Sequence, residues 1–285
     1  SGHYEPALAV EIIKNNKFAE QHDRLRINLE SVAIGNGWTD PLIQFKYYKD
    51  FGCAENDSPY QPFFDKETCA QMEKTYPHCE TLSKACYKFP SRLTCIPSSL
   101  YCEKHQGGDA FAATGLNPYD IRRKCEGDNG LCYNIIGAVE KYANLPHVRA
   151  ALGADSQAGN YTGCSDKVGT RFSLTGDNSK NFEPHIVKTL SEDVRVLLYV
   201  GDKDYICNWM GNKAWALSMD WAGQEGFNNA KDEPWLNRET GDKAGELRKY
   251  KNLSFLKVYD AGHMVPFDQP ANALEFFNRW LKNDL

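Results

Sequence analysis

The stretch Val194-Arg-Val-Leu-Leu-Tyr-Val200, followed at once by Gly201-Asp-Lys-Asp204, decides the fold class of this 285-residue chain. A near-continuous apolar run of strand length is typical of a strand buried on both faces of a parallel sheet. A second strand is predicted at residues 254–259, and Ala261-Gly-His263 follows it. A helical pattern follows each of the two strands. Strand and helix in alternation predict an α/β fold with a parallel sheet.

Further elements are predicted on both sides of this stretch. A third strand is predicted at Ile27–Ile34, which leads into Gly35-Asn-Gly37. Helices are predicted at Pro6–Lys14, Phe182–Ser191, about Asn208–Ser218 and Asp268–Leu281, the last with Leu274, Phe277 and Trp280 on one side. Three convincing strands are too few to cover these helices, so we expect the central strands of the sheet to come from residues before Ser1.

The composition excludes several classes of protein. With 41% hydrophobic and 12% aromatic residues the chain can bury a large core, so it is not disordered. The 38 acidic and 33 basic side chains leave a net charge of −5, so the chain lacks the basic surface that binding to a nucleic-acid backbone needs. The longest apolar stretch is only long enough for a strand, so no membrane span is predicted.

The ten cysteines indicate an oxidising compartment. None of them forms Cys-x-x-Cys, the spacing of most zinc and thioredoxin-like sites, so disulfides are favoured over a metal. Asn56, Asn160 and Asn252 each begin a glycosylation sequence and point to the same environment. We therefore expect a lumenal or secreted protein. Ser1-Gly-His-Tyr4 contains neither an initiator Met nor a signal peptide, so the chain is not expected to be a primary translation product.

The cysteine spacing in the middle of the chain predicts a helical hairpin. Cys79 and Cys86 are seven residues apart, as are Cys95 and Cys102, so each pair lies on one face of a helix. A turn between the two pairs would fold the helices antiparallel. Nested bridges from Cys86 to Cys95 and from Cys79 to Cys102 would follow.

Two more bridges are predicted on either side of this hairpin. Cys125 and Cys132 bracket the flexible loop Glu-Gly-Asp-Asn-Gly-Leu, and Cys53 and Cys69 are the remaining neighbours. Sequence alone does not determine how cysteines pair, so a different connectivity among the eight stays open.

Candidate catalytic residues follow two of the predicted strands. Asp202 and Asp204 come directly after one strand, and His263 follows a later one. The carboxyl ends of strands are where ligands bind in open α/β sheets. An acid followed by a histidine is the order found in α/β-hydrolases, whose nucleophile precedes both. The histidine would act as general base and acid, and the carboxylate would hold its tautomer. Alone, either residue is more often structural; together they favour catalysis.

Five segments resemble the serine carboxypeptidases, from the first residue to the final helix. Ser1-Gly-His-Tyr4-x-Pro6 looks like the end of that family's Gly-Glu-Ser-Tyr-small-Gly-His-Tyr nucleophile elbow. The other four segments are Ile34-Gly-Asn-Gly-Trp-Thr-Asp-Pro41, Asn117-Pro-Tyr-Asp-Ile-Arg122, Gly201-Asp-Lys-Asp-Tyr-Ile-Cys-Asn-Trp-Met-Gly-Asn-Lys-Ala-Trp215 and Gly262-His-Met-Val-Pro-Phe-Asp-Gln-Pro270.

This resemblance implies an α/β-hydrolase fold with a helical, disulfide-rich cap insertion. Residues 1–50 and 145–285 would belong to the catalytic domain, and residues 51–144 would form the cap. Asp204 would be the acid of the triad and His263 its base, with Asp202 as the alternative acid. Ser1 would stand two residues beyond the nucleophile, so the catalytic serine is expected upstream of Ser1.

The resemblance also implies two substrate pockets. Trp38, Phe45, Tyr48 and Ile206 would line the side-chain pocket on the acyl side of the scissile bond. The pocket for the C-terminal residue of the substrate would be formed by Tyr119, Tyr133, Ile136 and Met264. Asn178 stands where the family has a pocket Trp, which leaves the preference of that pocket open. Cys207 matches an unpaired cysteine of the family near the active site, and Cys164 would be bonded to a cysteine upstream of Ser1.

The function implied is that of a serine carboxypeptidase that releases C-terminal residues of peptides and proteins through an acyl-enzyme at acidic pH. No metal or organic cofactor is expected. The expected partners are peptide and protein C-termini and the missing N-terminal portion of the same molecule. The expected location is a vacuolar or lysosome-like lumen, with secretion as the alternative. Two other hypotheses stay open: an acyltransferase that uses the same triad, and a non-catalytic hydrolase-fold binding protein.

Overall fold

The computed structural model describes residues 1–54, 60–126 and 131–285. Its strands are β1 (Ser31–Gly35), β2 (Leu116–Asn117), β3 (Asp120–Lys124), β4 (Arg195–Gly201), β5 (Glu233–Leu236), β6 (Lys243–Tyr250) and β7 (Leu253–Val258). Its α-helices are α1 (Tyr4–Asn16), α2 (Pro41–Gly52), α3 (Lys66–Lys88), α4 (Arg92–Glu103), α5 (Asp109–Thr114), α6 (Asn134–Ala143), α7 (Pro146–Ala151), α8 (Asp166–Ser173), α9 (Glu183–Ser191), α10 (Trp209–Ser218), α11 (Gln224–Asn229), α12 (Val265–Asp268) and α13 (Pro270–Leu281).

The main sheet has the strand order β1-β4-β7-β6-β5. Strand β4 lies between β1 and β7 and is parallel to both of them. Its alternate residues enter two different cores, since Val196 and Leu198 pack towards α9 and α10 while Leu197 packs towards α13. Burial on both faces explains why this strand is apolar at nearly every position. The three predicted strands are therefore the parallel part of the sheet.

Two antiparallel strands extend the predicted parallel sheet on one side. Strands β5 and β6 pair antiparallel to each other, and β6 pairs antiparallel to β7, so the sheet is mixed. These two strands come from a polar stretch in which the sequence showed no strand. They form the end of the sheet, with β5 at its edge, where Pro234 is tolerated, and most of their residues are partly or fully exposed, so their apolar signal is weak.

The structure differs from the sequence prediction in where two elements begin and in which face of the last helix is buried. Strand β1 begins at Ser31 and not at Ile27. The last predicted helix begins at Pro270 and not at Asp268, which is the final residue of the separate short helix α12. The buried side of α13 consists of Ala273, Phe276 and Trp280, whereas Leu274 is 64% exposed and Phe277 45% exposed. The sheet therefore covers a face rotated from the predicted one, with only Trp280 in common.

The predicted hairpin in the cysteine-rich segment is confirmed. Helices α3 and α4 are joined by a short turn at which Ser91 and Thr94 form a capping box. The disulfides Cys86–Cys95 and Cys79–Cys102 are nested as predicted, with Cα–Cα distances of 4.6 and 5.1 Å. The other two disulfides also follow the prediction and join Cys53 to Cys69 and Cys125 to Cys132.

A third core connects the hairpin to the sheet half of the molecule. Phe45 and Phe51 of α2 pack there with Met72 of α3, and Tyr205, which follows β4, packs in the same cluster. The ring of Tyr205 stacks on Phe111 at a centroid distance of 4.2 Å. This aromatic cluster seats the hairpin beside the loop that follows β4. Within the described ranges, no helix is long and apolar enough to cross a membrane.

Candidate active site

The loop after β4 brings Asp204 to the carboxyl edge of the sheet. The backbone N–H groups of Tyr205 and Ile206 both donate to the carbonyl of Pro118, which ties this loop to the segment before β3. Asp204 is fully buried. A buried carboxylate is costly unless hydrogen-bond donors surround it, so its partners define the site.

His263 is the principal partner of Asp204. Its Nδ1–H donates to Asp204 Oδ2 at 2.8 Å. Burial alone would lower the pKa of His263, but the charge and hydrogen bond of Asp204, with a smaller contribution from Cys207, raise the pKa above its ordinary value. The carboxylate thus stabilises the imidazolium form. It also keeps the proton of the neutral ring on Nδ1, which leaves Nε2 able to accept a proton. The two residues predicted as acid and base are therefore adjacent.

Asn36 is a third member of the site, which the sequence analysis did not single out. Its Nδ2–H donates to the same Asp204 Oδ2 at 2.8 Å, and its Oδ1 accepts from the backbone N–H of Gly201 at 3.3 Å. Asn36 has a positive φ of 46° and follows β1. An asparagine between two glycines at a strand end was the available signal, because asparagine tolerates the left-handed conformation and offers a polar side chain there.

Asp202, the alternative acid, has different partners. Its Oδ2 accepts from Lys203 Nζ at 2.6 Å, and its Oδ1 accepts from the backbone N–H of Ala261 at 3.4 Å. Burial, opposed by Lys203, raises the pKa of this carboxyl group. Asp202 therefore supports the loop that leads to His263, while Asp204 contacts the imidazole itself.

A buried ionic cluster holds the backbone of the His263 loop. The N–H of His263 donates to the carbonyl of Tyr119 at 2.7 Å, and the N–H of Gly262 donates to Asp268 Oδ2 at 2.7 Å. Arg122 lies between Asp120 and Asp268, at 2.8 and 3.3 Å from their carboxylates. A Cβ at residue 262 would lie 2.3 Å from the carbonyl oxygen of Tyr119, so only glycine fits. The backbone at His263 is thus held both by the distant segment of Tyr119 and by the nearby Asp268.

The first residues of the chain lie against the same site. A cavity of about 370 Å³ is lined by Ser1, Asn36 and His263 among others. A Cβ on Gly2 would lie 2.4 Å from the carbonyl oxygen of Trp38, so this glycine is required for close backbone approach. His3 is buried, stacks on Phe182 at 4.2 Å and approaches Asp177 at 3.4 Å. The start of α1 is therefore packed within reach of the His263 cavity.

A second cavity of about 650 Å³ adjoins the first. The structure brings the four residues predicted for the acyl-side pocket into its lining: Trp38, Phe45, Tyr48 and Ile206. Four residues line both cavities: Trp38, Glu103, Asn178 and Cys207. The predicted pocket residues thus surround one space that opens towards His263.

The residues predicted around the C-terminal residue of the substrate are only partly brought together. The rings of Tyr119 and Tyr133 are 6.1 Å apart, and Tyr119 is 5.3 Å from the His263 ring. Ile136 and Met264 line neither cavity formed by the described residues. Ile136 lies in α6 against Gly163, and Met264 directly follows His263. Their assignment to a pocket stays a prediction.

Cys207 is an unpaired, buried thiol at the junction of the two cavities. Burial raises the pKa of Cys207, and His263 opposes this shift. A ligand atom from each of Asp204, Cys207 and His263 lies within 4.8 Å of the others, the one such trio found in the described part of the chain. Asp204 Oδ2 accepts two hydrogen bonds, whereas its Oδ1 is buried and accepts none from the described residues.

The remaining predicted sites are one cysteine and three asparagines. Cys164 is exposed and has no disulfide partner within the described residues, so its bond to an upstream cysteine stays a prediction. Asn160 is exposed, as a glycan would require. The Nδ2 of Asn252 donates to the carbonyls of Leu190 and Val194, and a glycan on that nitrogen would remove one of its two N–H donors. Asn56 lies outside the described residues.

Comparison with known proteins identifies the family to which the chain belongs. Residues 1–283 match the sequence model of the serine carboxypeptidase family, Peptidase S10. The chain belongs to this family and has its α/β-hydrolase fold. In structure it is similar to Kex1Δp, a prohormone-processing carboxypeptidase from Saccharomyces cerevisiae, with a TM-score of 0.80, 26% identity, and coverage of 99% of this chain and 60% of the other.

Individual relatives are more similar in sequence. The vacuolar serine-type carboxypeptidase ATG42 of Saccharomyces cerevisiae is 42% identical over 286 residues, which cover 100% of this chain and 54% of the relative. Carboxypeptidase Y of Candida albicans is 40% identical over 284 residues, which cover 100% of this chain and 50% of the relative. The chain thus spans about half the length of the curated relatives that it matches.

Proposed function

We propose that this chain carries the acid and the base of a serine carboxypeptidase that hydrolyses C-terminal residues of peptides and proteins. One observation carries the proposal: Asp204 and His263 are joined at 2.8 Å beside a cavity that the first residues of the chain also line. Membership of the serine carboxypeptidase family supports the substrate class.

In the proposed reaction, His263 takes up and releases one proton in each of the two halves, acylation and deacylation. Its Nε2 takes the proton from a serine Oγ as that oxygen forms a bond to the scissile carbonyl carbon, and then gives the proton to the leaving amine as the C–N bond breaks. A water molecule attacks the resulting ester by the same route, which restores the serine and releases the acid. Asp204 stabilises the imidazolium in both halves of the reaction. These steps need no metal ion or organic cofactor.

The serine in this proposal comes from residues that precede Ser1 in the full-length protein. The relatives are about twice as long as this chain, and the cavity beside His263 is also lined by Ser1 and Gly2. The close approach of Gly2 to Trp38 would place the turn before α1 at the mouth of that cavity. The oxyanion donors and the groups that bind the substrate's free carboxylate are proposed to lie in the same upstream portion.

We also propose that the chain divides between a catalytic domain and a cap. Residues 1–50 and 145–285 form part of the catalytic domain, and residues 51–144 form a cap whose disulfide hairpin borders the acyl-side pocket. That pocket is the cavity of about 650 Å³ lined by Trp38, Phe45 and Tyr48. The proposed location is a vacuolar or lysosome-like lumen, on the basis of the vacuolar relative and the four disulfides.

Labelling of the full-length protein with a fluorophosphonate tests this proposal. We expect one labelled serine, located by peptide mapping upstream of Ser1, and release of C-terminal amino acids from an N-acylated dipeptide. A protein that takes no label and releases no amino acid is a non-catalytic hydrolase-fold protein. Labelling with transfer of the acyl group to an acceptor amine or alcohol, and without hydrolysis, indicates an acyltransferase.

A further inference from the structure

The acyl-side cavity contains one charged side chain among its described lining residues. Its walls are apolar and aromatic, built mainly from α2, α5 and the loop after β4. The exception is Glu103, which also lines the cavity beside His263. A carboxylate at the junction of an apolar pocket and a catalytic site is a candidate determinant of substrate charge.

The structure holds Glu103 firmly in this place. It is the last residue of α4 and follows Cys102, which is bonded to Cys79. Its Oε1 accepts from Ser99 Oγ at 2.7 Å and from Asn178 Nδ2 at 2.5 Å. Asn178 is anchored in turn, because its carbonyl accepts from Trp38 Nε1 at 2.8 Å.

The negative charge of Glu103 is not neutralised by a cation of the chain. Among the described residues its contacts are those two neutral hydrogen bonds, and no lysine or arginine forms an ion pair with it. Asp177, the other acid of the His263 cavity, is paired with His3 and Lys180. The next residue, Lys104, lines a different cavity together with Asp65.

We propose that Glu103 makes the acyl-side pocket selective for a basic residue, lysine or arginine, on the acyl side of the scissile bond. The apolar walls accept the hydrocarbon stem of such a side chain, while its charged end reaches the carboxylate at the rim. The indole of Trp38, beside Glu103, offers a further favourable surface to a cation. An acidic residue at the same position is repelled. This inference rests on the proposed carboxypeptidase function.

Matched substrates test the charge directly. The full-length enzyme is assayed with N-acylated dipeptides whose penultimate residue is lysine, norleucine or glutamate, since norleucine has the lysine stem without the ammonium group. We expect wild type to favour lysine over norleucine in kcat/KM. Glu103→Gln should reduce this ratio about fivefold, the size of an exposed ion pair. Glu103→Lys should reverse the order of the lysine and glutamate substrates.

The control is Glu80→Gln, which removes the same charge from the outer surface of the hairpin, where Glu80 pairs with Lys84. It should leave the lysine-to-norleucine ratio unchanged. An unchanged ratio in Glu103→Gln, or an equal loss on both substrates, overturns the inference while leaving the proposed function intact. If wild type hydrolyses none of the three dipeptides, the proposed function falls and the inference falls with it.

Discussion

The loops that carry Asp204 and His263 differ from the disulfide hairpin of the cap in what holds them. Each catalytic loop donates hydrogen bonds to a segment far away in sequence, through the carbonyls of Pro118 and Tyr119, and the His263 loop also donates to the nearby carboxylate of Asp268. The hairpin depends on two bridges that close short loops, with sequence separations of 9 and 23 residues. The chemistry is thus assembled by long-range contacts, and the pocket wall beside it by local covalent constraint.

Removal of the catalytic pair should produce the largest effect, and it should fall mainly on turnover. His263→Ala should lower kcat by about 10⁵-fold, and Asp204→Asn by about 10⁴-fold, because the first removes the base and the second leaves it without its charge partner. Steady-state kinetics of the full-length enzyme measures both, and circular dichroism spectra should show that both variants are folded.

Asp202→Asn is the matched control for the acid. It alters a buried carboxylate two residues away that contacts Lys203 and not His263. If Asp202→Asn reduced kcat as strongly as Asp204→Asn in a folded protein, Asp202 would be the acid of the triad.

Removal of the bridges of the hairpin should do the reverse and reduce stability while sparing turnover. Loop closure predicts a loss of about 3.5 kcal/mol for the double variant Cys79→Ala with Cys102→Ala, and about 2.7 kcal/mol for Cys86→Ala with Cys95→Ala, since the first bridge closes the longer loop. Denaturant unfolding of each double variant gives these free energies. A loss in kcat as large as that of Asp204→Asn would contradict the separation between the two regions.

The ionic cluster under the His263 loop should give a smaller effect on both properties. Asp268→Asn keeps an acceptor for the N–H of Gly262 but removes the charge that faces Arg122. We expect a loss of about 1 to 2 kcal/mol in unfolding free energy and about tenfold in kcat, with KM unchanged, because the loop that places the imidazole loosens. The exposed Asp284, paired with Arg238, provides the control Asp284→Asn, for which neither quantity should change.

The pH dependence of His263 should be the smallest effect on stability. The pKa of His263 is raised in the folded state. Its contribution to the free energy of unfolding is therefore complete at pH values below the ordinary pKa of about 6.5, and is lost as the pH rises through the pKa of the folded state. The stability advantage of wild type over His263→Ala should therefore decrease as the pH is raised above 6.5. An imidazole titration by NMR should show a pKa above 6.5 in wild type and a lower one in Asp204→Asn. A pKa that stays the same in both would mean that Asp204 does not set it.

Much of the architecture is readable from the sequence because its signals are local. The apolar run at Val194–Val200 had to be a buried strand, and the seven-residue spacing of cysteines favoured both bridges of the hairpin. Strands β5 and β6 were missed because most of their residues are partly or fully exposed, which leaves only a weak hydrophobic pattern. The buried face of α13 was misjudged because both Phe276 and Phe277 fit the helical period, and only the sheet decides which of them it covers.

The sequence by itself determined the order of acid and base and the family, and the cysteine spacing favoured the disulfide hairpin, since each of these depends on residue identity and spacing. Tertiary structure alone decided that Asp204 and not Asp202 contacts the imidazole, and that Asn36 donates to the same Asp204 oxygen as His263. It also decided that Asn178 donates to Glu103 at the pocket rim. These contacts join residues 59, 168 and 75 positions apart. Side-chain direction over such separations depends on how the strands and helices pack, and no local pattern records it.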